Sequence, residues 1–195
     1  MVLSARDRFP RKDAGRKLPV QGVSFLLVAI FCFSCSCVGP PSTLSAQPAR
    51  VIEGVPFFPQ EKFQCGPASL AGVLNYYGWK VSPAEIAAEI FSRQARGTLD
   101  MDMVFYARKK GLRAEKYRGS FEDLQAQISS RRPLIVLIDQ GLWVYQSHHF
   151  MVVVGYDERG VIVNSGREER KFLFRDSFLN TWKKTKFWTL RITPP

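Results

Sequence analysis

Cysteine and histidine are scarce in this chain of 195 residues. Three of the four cysteines fall at positions 32, 35 and 37, so Cys65 is the only one in the remainder of the chain. This distribution excludes a disulfide framework downstream of residue 37. It also leaves too few thiol and imidazole ligands for a structural zinc site, which takes about four at short spacing. We therefore expect no metal and no cofactor, and look for chemistry in Cys65 and the only two histidines, His148 and His149.

Acidic residues are also few, with 17 Asp and Glu against 28 Lys and Arg and a formal net charge of +11. The first twenty residues hold six basic and two acidic residues, which leaves 22 against 15, or +7, for the rest. That remainder shows neither a basic helix nor the aromatic and basic alternation of a nucleic-acid reader. We expect no nucleic-acid partner, but a solvated basic face that favours an anionic membrane surface or an acidic substrate segment.

Residues 1–37 are typical of an export signal, because a basic start precedes the apolar stretch Val23 to Phe33. That stretch is shorter than the ~20 residues of a spanning helix. Cys35 and Cys37 each follow a serine and are candidates for lipidation. Three outcomes stay open: a lipid anchor, a cleaved periplasmic protein and an uncleaved signal anchor. Each of them predicts an exported, periplasmic protein.

Residues 38–49 are small, polar and rich in proline, and we expect them to form a flexible tether. The folded domain is predicted over residues 50–195. At this length one domain buries about two thirds of its unfolded surface, so it needs no disulfide or metal for stability. The sequence does not indicate the oligomeric state.

Helices are predicted early in this domain and strands late. Apolar spacing and capping signals predict four helices: Cys65 to Tyr77, a helix capped by Ser82 that runs to about Phe91, Leu99 to Lys110, and Phe121 to Ser129. The predicted strands are Val51 to Phe58, Leu134 to Ile138, His149 to Tyr156, Val161 to Asn164, Phe172 to Phe174 and Phe187 to Ile192, with a short helix from Asp176 to Trp182. This order favours an α+β fold with an antiparallel sheet.

The predicted helix that begins at Cys65 gives its thiol a favourable place. The partial positive charge at a helix N-terminus stabilises a thiolate, so we expect a lowered thiol pKa. His149 on a facing strand is the candidate base, which would form a thiolate–imidazolium pair and later protonate a leaving amine. His148 faces the other way on an alternating strand and is assigned to the substrate-binding loop.

A base also needs an orienting partner, and the returning strand ends at Asn164. Its side-chain carbonyl is the candidate acceptor for the imidazole N–H, although Asn-Ser-Gly is also ordinary turn chemistry and Ser165 is an alternative partner. Acyl transfer further needs donors to the developing oxyanion. Gln60 is the first candidate for that role, together with the backbone N–H of Cys65, and Gln64 is the second.

Two separated motifs resemble those of the papain-like bacteriocin-processing peptidases. They are Val55-Pro56-Phe57-Phe58-Pro59-Gln60 with Gln64-Cys65-Gly66-Pro67-Ala68-Ser69-Leu70, and His149-Phe150-Met151-Val152-Val153-Val154-Gly155-Tyr156-Asp157. The resemblance implies a papain-like fold in which Cys65 is the nucleophile, His149 the base and Gln60 the oxyanion glutamine. Members of that family cleave leader peptides, often after a double glycine, and many are fused to export transporters.

The chain departs from this family pattern in three ways. Gln60 lies one residue closer to the cysteine than in the transporter-linked members. The family usually has Asp-Pro where this chain reads Asn164-Ser165-Gly166, which leaves the third catalytic residue open. No transporter segment follows in the sequence, so it resembles a stand-alone, exported branch of the family. The resemblance does not identify the substrate.

The first functional hypothesis is a thiol peptidase of the cell envelope that acts on a peptide or protein substrate. Its candidate substrate-binding residues are Gln64, Gly66, Trp143, Tyr145 and His148. The alternatives are a peptide-binding module of the same fold with an impaired triad, and a transferase that uses the same thioester route to acyl or amide transfer.

Overall fold

The computed structural model describes residues 48–142 and 144–195. Its helices are α1 (Cys65–Tyr76), α2 (Pro83–Ile90), α3 (Asp100–Lys109), α4 (Phe121–Ser129) and α5 (Arg175–Lys183). Its strands are β1 (Arg50–Val51), β2 (Phe91–Ser92), β3 (Gly97–Thr98), β4 (Arg113–Arg118), β5 (Leu134–Asp139), β6 (His148–Tyr156), β7 (Gly160–Ser165), β8 (Glu168–Phe174) and β9 (Trp188–Thr193). No helix in these residues is long and apolar enough to cross a membrane.

Several predicted features lie outside the described residues. They are the export signal over residues 1–37, the lipidation candidates Cys35 and Cys37, most of the tether, and Trp143. These stay predictions.

Seven strands form one antiparallel sheet in the order β4-β9-β5-β6-β7-β8, and β1 pairs with β6. The two short strands β2 and β3 form a separate ribbon. Four helices precede the strand pair β5 and β6 in the chain. This pair has six residue pairs, from Leu134 with Val153 at one end to Asp139 with His148 at the other. The α+β class and the antiparallel sheet predicted from the sequence are confirmed.

The capping signals correctly predict where α2 and α4 begin. Ser82 Oγ accepts a hydrogen bond from the Glu85 N–H at 3.2 Å, and Glu85 Oε2 accepts one from the Ser82 N–H at 2.7 Å. Ser120 Oγ accepts from the Asp123 N–H at 3.0 Å. Each serine therefore satisfies an N–H group that the first turn of a helix leaves without an internal partner.

Two strand predictions need correction. The strand predicted over Val51 to Phe58 is limited to β1, because Pro56 and Pro59 have no N–H to donate to a neighbouring strand and Gly54 turns the chain at φ +77°. β4 was not predicted, since its sequence is rich in charge rather than in apolar residues. Its place at an edge of the sheet accounts for that composition, because charged side chains protect exposed strand edges.

The helix α1 packs closely against the sheet. Leu70, Val73 and Leu74 are fully buried, and a Cβ at Gly72 would lie 2.9 Å from the Pro56 carbonyl oxygen and 3.9 Å from Val152 Cγ2 in β6. Glycine is therefore needed at this point of the helix to let the backbones approach. The same contact holds the segment that leads to Gln60 against the helix that begins at Cys65.

We predict that Gly72→Ala destabilises the protein. Alanine in a helix normally stabilises a protein by about 0.5–1 kcal/mol relative to glycine. Here, however, the new methyl group would lie too close to a backbone oxygen, which cannot move aside as a flexible side chain can. Overpacking of this kind costs about 1–3 kcal/mol, so the free energy of unfolding from urea titration should fall. Gly97→Ala is the control, because its Cβ meets no atom closer than 3.9 Å. Equal stability of the Gly72 variant and the wild type would contradict the close packing.

Candidate active site

Cys65 is the first residue of α1, and the five residues before it form a turn at the mouth of a cleft. The Gln64 N–H donates to the Glu61 carbonyl at 3.1 Å, and Phe63 has a left-handed backbone with φ 66°. This turn brings the chain from Gln60 round to the start of the helix. Cys65 is partly buried and is the free cysteine of the described residues.

The start of β6 forms the opposite wall of the same cleft. The cleft has a volume of about 380 Å³. It is lined by Gln60, Glu61, Lys62, Phe63, Cys65, His148, His149, Gly166 and Arg167. The structure therefore brings together the predicted nucleophile, base and oxyanion glutamine, which lie up to 89 residues apart in the sequence.

Burial dominates the ionisation of the thiol. It raises the pKa of Cys65 above its ordinary value, while the backbone N–H groups of Phe150, Gly66 and Cys65 itself act in the opposite direction. The N–H groups at the helix start thus favour the thiolate, as the sequence predicts. They do not outweigh the loss of hydration, so the predicted lowering of the thiol pKa is not what the structure gives.

The pKa of the His149 imidazole is shifted in the opposite direction to that of the Cys65 thiol. Burial lowers the pKa of His149, and the positive charge of Lys171 on β8 lowers it further. A thiol with a raised pKa beside an imidazole with a lowered pKa favours a neutral pair at rest. The structure therefore favours a neutral thiol and imidazole over a preformed thiolate–imidazolium pair.

The partner of His149 is Ser165, whose Oγ lies 2.9 Å from His149 Nε2. Asn164, which we predicted for this role, accepts instead from the backbone N–H of Arg170 at 3.0 Å. Asn164 is paired with Val152 in the sheet. The pairing of β7 with β8 is irregular between Val163 and Ser165, and the Ser165 hydroxyl is the group that meets the imidazole.

Gln60 is held beside the end of β7 by its own backbone. Its N–H donates to the Gly166 carbonyl at 2.8 Å, which places the residue between Cys65 and the strand end that carries Ser165. Gln64, the second oxyanion candidate, is the N-cap residue of α1 and donates its side-chain amide to Glu61 at 3.4 Å. The position of Gln60 in the cleft keeps it as the first candidate.

Three other substrate-binding candidates lie in three different places. His148 is exposed and lines the cleft. Gly66 is buried and faces β3, because a Cβ there would lie 2.8 Å from Thr98 Cβ, so its role is packing rather than contact with substrate. Tyr145 is 80% exposed, together with Leu142 at 74% and Val144 at 89%, on the loop that leads into β6.

Sequence reasoning missed the aromatic and cationic rim of the cleft. The Phe63 ring lies 4.8 Å from the Arg96 guanidinium carbon and 5.3 Å from Lys62 Nζ. The left-handed conformation of Phe63 and the approach of Arg96 depend on the folded turn, and the local sequence carries no signal for either. Among residues 48–142 and 144–195, no cluster of three or more His, Cys, Asp or Glu side chains is arranged to hold a metal ion.

Comparisons with known proteins show the family and the fold. The profile of the Peptidase_C39 like family matches residues 52–189. A relative from Methanothermobacter thermautotrophicus, described as an uncharacterized protein, is 33% identical over 99 residues, which cover 51% of this chain and 62% of that protein. This chain thus spans less than two thirds of that relative's length.

Two solved structures share the fold. The peptidase domain of Streptococcus ComA, described as a bifunctional ABC transporter involved in a quorum-sensing pathway, has a TM-score of 0.61 and 22% identity over 72% of this chain and 99% of that domain. A double glycine motif protease from an AMS/PCAT transporter, solved in complex with the leader peptide, has a TM-score of 0.59 and 24% identity over 76% of this chain and its full length.

We predict that Cys65 reacts slowly with iodoacetamide at neutral pH. Because burial raises its thiol pKa, the midpoint of the alkylation rate against pH should lie above the ~8.5 of a free cysteine. Mass spectrometry of the peptide that carries Cys65 measures the rate separately from the other cysteines. A midpoint well below 8.5 that rises in His149→Ala would instead demonstrate a preformed ion pair.

Proposed function

Since the chain belongs to the Peptidase_C39 like family, we propose that it is a cysteine peptidase, with Cys65 as the nucleophile and His149 as the base. The observation that carries this proposal is the convergence of Cys65, His149 and Gln60 on one cleft. A cleft of about 380 Å³ has room for a few residues of an extended peptide. The substrate class is a peptide or protein chain.

The hydrogen bond between His149 and Ser165 supplies the orientation that the reaction needs. With Nε2 held at 2.9 Å from Ser165 Oγ, the other ring nitrogen, Nδ1, is the one free to take the thiol proton. For that transfer, Nε2 carries its hydrogen and donates it to Ser165. Ser165 is therefore a positioning residue, because it acts through His149 and fixes the tautomer of the imidazole.

The reaction begins when His149 removes the proton of Cys65 as sulfur attacks the carbonyl carbon of the scissile bond. The carbonyl oxygen takes up the negative charge, and the backbone N–H of Cys65 and the side-chain amide of Gln60 are the proposed donors to it. The tetrahedral species collapses as the C–N bond breaks, and the leaving amine takes the proton from His149. Water, deprotonated by His149, then hydrolyses the thioester and restores the free thiol.

One observation favours a second candidate function, a peptide-binding module of the same fold. The partner of His149 is a neutral hydroxyl, which stabilises an imidazolium less than a carboxylate does. The positive charge of Lys171 and the burial of both groups also oppose ion-pair formation. In this alternative the cleft binds a peptide without cleaving it.

We also propose that the protein works in the cell envelope. The basic and apolar pattern of residues 1–37 supports export, with a lipid or an uncleaved signal as the membrane attachment. The formal charge of +7 over the rest of the chain is compatible with an anionic membrane surface nearby.

Replacing Cys65 by serine should abolish peptide cleavage and leave the fold intact. A peptide library incubated with the full chain, with products identified by mass spectrometry, measures the activity. Loss of all products in Cys65→Ser and His149→Ala supports the peptidase. Cleavage that survives in Cys65→Ser contradicts it, whereas peptides retained but uncleaved by the wild type would support the binding module.

The roles of Ser165 and Asn164 are separable. We expect Ser165→Ala to lower kcat about tenfold, with little change in KM, because the imidazole loses its orienting contact. Asn164→Ala should reduce the free energy of unfolding by about 0.5–1.5 kcal/mol, because it removes the hydrogen bond that the buried Asn164 side chain accepts from the Arg170 N–H. It should change kcat less than Ser165→Ala. Ser92→Ala is the control, since that hydroxyl also accepts a backbone hydrogen bond but lies outside the cleft.

A carboxylate in place of the Ser165 hydroxyl tests how the contact to His149 affects the pH dependence of the proposed reaction. In Ser165→Asp the negative charge raises the pKa of His149, so the acid limb of kcat/KM should move to higher pH. An unchanged acid limb in Ser165→Asp, or full activity in Ser165→Ala, would show that Ser165 does not position the base.

A further inference from the structure

A second cavity, with a volume of about 890 Å³, shares no residue with the candidate active site. Its walls come from the end of α1, the end of α3, the start of β4, the turn after α4 and the end of β9. The lining residues are Tyr77, Arg108, Leu112, Arg113, Ala114, Glu115, Ser130, Arg131, Arg132, Arg191, Thr193 and Pro194. The proposed peptidase function assigns no role to this cavity.

Positive charge dominates this cavity. Five arginines line it against a single carboxylate, that of Glu115. Glu115 forms an ion pair with Arg191. Among the described residues, no carboxylate lies within ion-pair distance of the other four arginines. Four guanidinium groups in one concave site repel one another. An anion bound there stabilises this arrangement of charges.

Hydrogen bonds hold two of these arginines, Arg131 and Arg108, in place. Arg131 has a left-handed backbone with φ 57°, its N–H donates to the Ile128 carbonyl at 2.9 Å, and its own carbonyl accepts from Tyr76 Oη at 3.0 Å. The Arg108 Nε donates to the Ala114 carbonyl at 3.0 Å. Arg132 Nη1 also donates to Gln127 Oε1 at 3.5 Å, and the other guanidinium N–H groups are left available to a ligand.

Tyr77 also lines the cavity, next to the arginines. Its hydroxyl oxygen is buried and has no hydrogen-bond partner within the described part of the chain. Burial raises the pKa of Tyr77 to about 12, so the phenol is uncharged at neutral pH and adds no negative charge to the cavity. Because the hydroxyl is closed off from solvent, the arginines supply the contacts to an anion.

We propose that this cavity binds a ligand with two or more phosphoryl groups, or a phosphate ester. Guanidinium groups match phosphate oxygens in paired hydrogen bonds, which favours this chemistry over a halide or a lone carboxylate. The volume lies in the range of small-molecule sites. Leu112, Ala114 and Pro194 offer an apolar surface to an organic part of the ligand. Such phosphoryl groups come either from a soluble phosphate compound or from an anionic phospholipid headgroup.

The test compares binding of pyrophosphate to the full-length wild type and to Arg113→Gln/Arg132→Gln by isothermal titration calorimetry at constant ionic strength. Arg93→Gln/Lys183→Gln is the matched control, because it removes the same charge from exposed residues outside the cavity. We expect the cavity variant to bind at least about tenfold more weakly, since it loses two charge-assisted contacts to the anion. The control should change affinity less than about twofold.

A second arm identifies the source of the phosphoryl groups. Cosedimentation with vesicles that contain phosphatidic acid, and with phosphatidylcholine vesicles, is measured for the same three proteins. If no protein binds pyrophosphate and only the cavity variant loses binding to the anionic vesicles, the site is assigned to a lipid headgroup. Pyrophosphate binding that the cavity variant loses assigns it to a soluble phosphate compound.

Two outcomes overturn the proposal. Equal weakening in the cavity variant and the control would show that only the overall charge matters. Absence of binding in both arms would show that the arginines are a solvated surface. The single variants Arg113→Gln and Arg132→Gln guard against an unfolded double variant, because each removes one exposed guanidinium of the cavity: we expect each to weaken pyrophosphate binding with no loss of melting temperature.

Discussion

The close contact between α1 and the sheet is the constraint on which the rest of the structure depends. It needs glycine at position 72, where the Pro56 carbonyl and Val152 of β6 approach the helix. Glycine at position 66 likewise lets Thr98 of the separate β2–β3 ribbon approach the first turn of α1. This packing sets the start of α1 against the start of β6. As a result Cys65 and His149 line one cleft, although they are far apart in the sequence. The same packing buries the thiol and so determines its ionisation.

Burial and hydrogen bonding act against each other in this cleft. N–H groups at the helix start favour the thiolate, but loss of hydration raises the pKa of Cys65 and lowers that of His149. In the proposed reaction, a neutral resting pair requires that proton transfer accompany the attack on substrate rather than precede it. It also makes the thiol less reactive toward oxidants, since sulfenic acid forms from the thiolate.

The folded chain gathers basic charge that the sequence shows as short, separate clusters. Arg108, Arg113, Arg131, Arg132 and Arg191 come from three strands or helices and one turn, yet line one cavity. The proposed peptide cleft and this proposed anion site have no residue in common. The two sites therefore allow substitutions in one without removing a side chain from the other, which makes the two proposed functions testable separately.

The sequence by itself determined the elements with local signals and the identity of the reactive groups. Capping serines predicted the starts of α2 and α4, and scarcity left Cys65 and two histidines as the candidates for nucleophile and base. Only the tertiary structure decided that Ser165 rather than Asn164 meets His149, because the register and the irregular pairing near the end of β7 set which side chain faces it. It also decided the direction of the thiol pKa, since burial is a property of packing between distant segments and has no local sequence pattern.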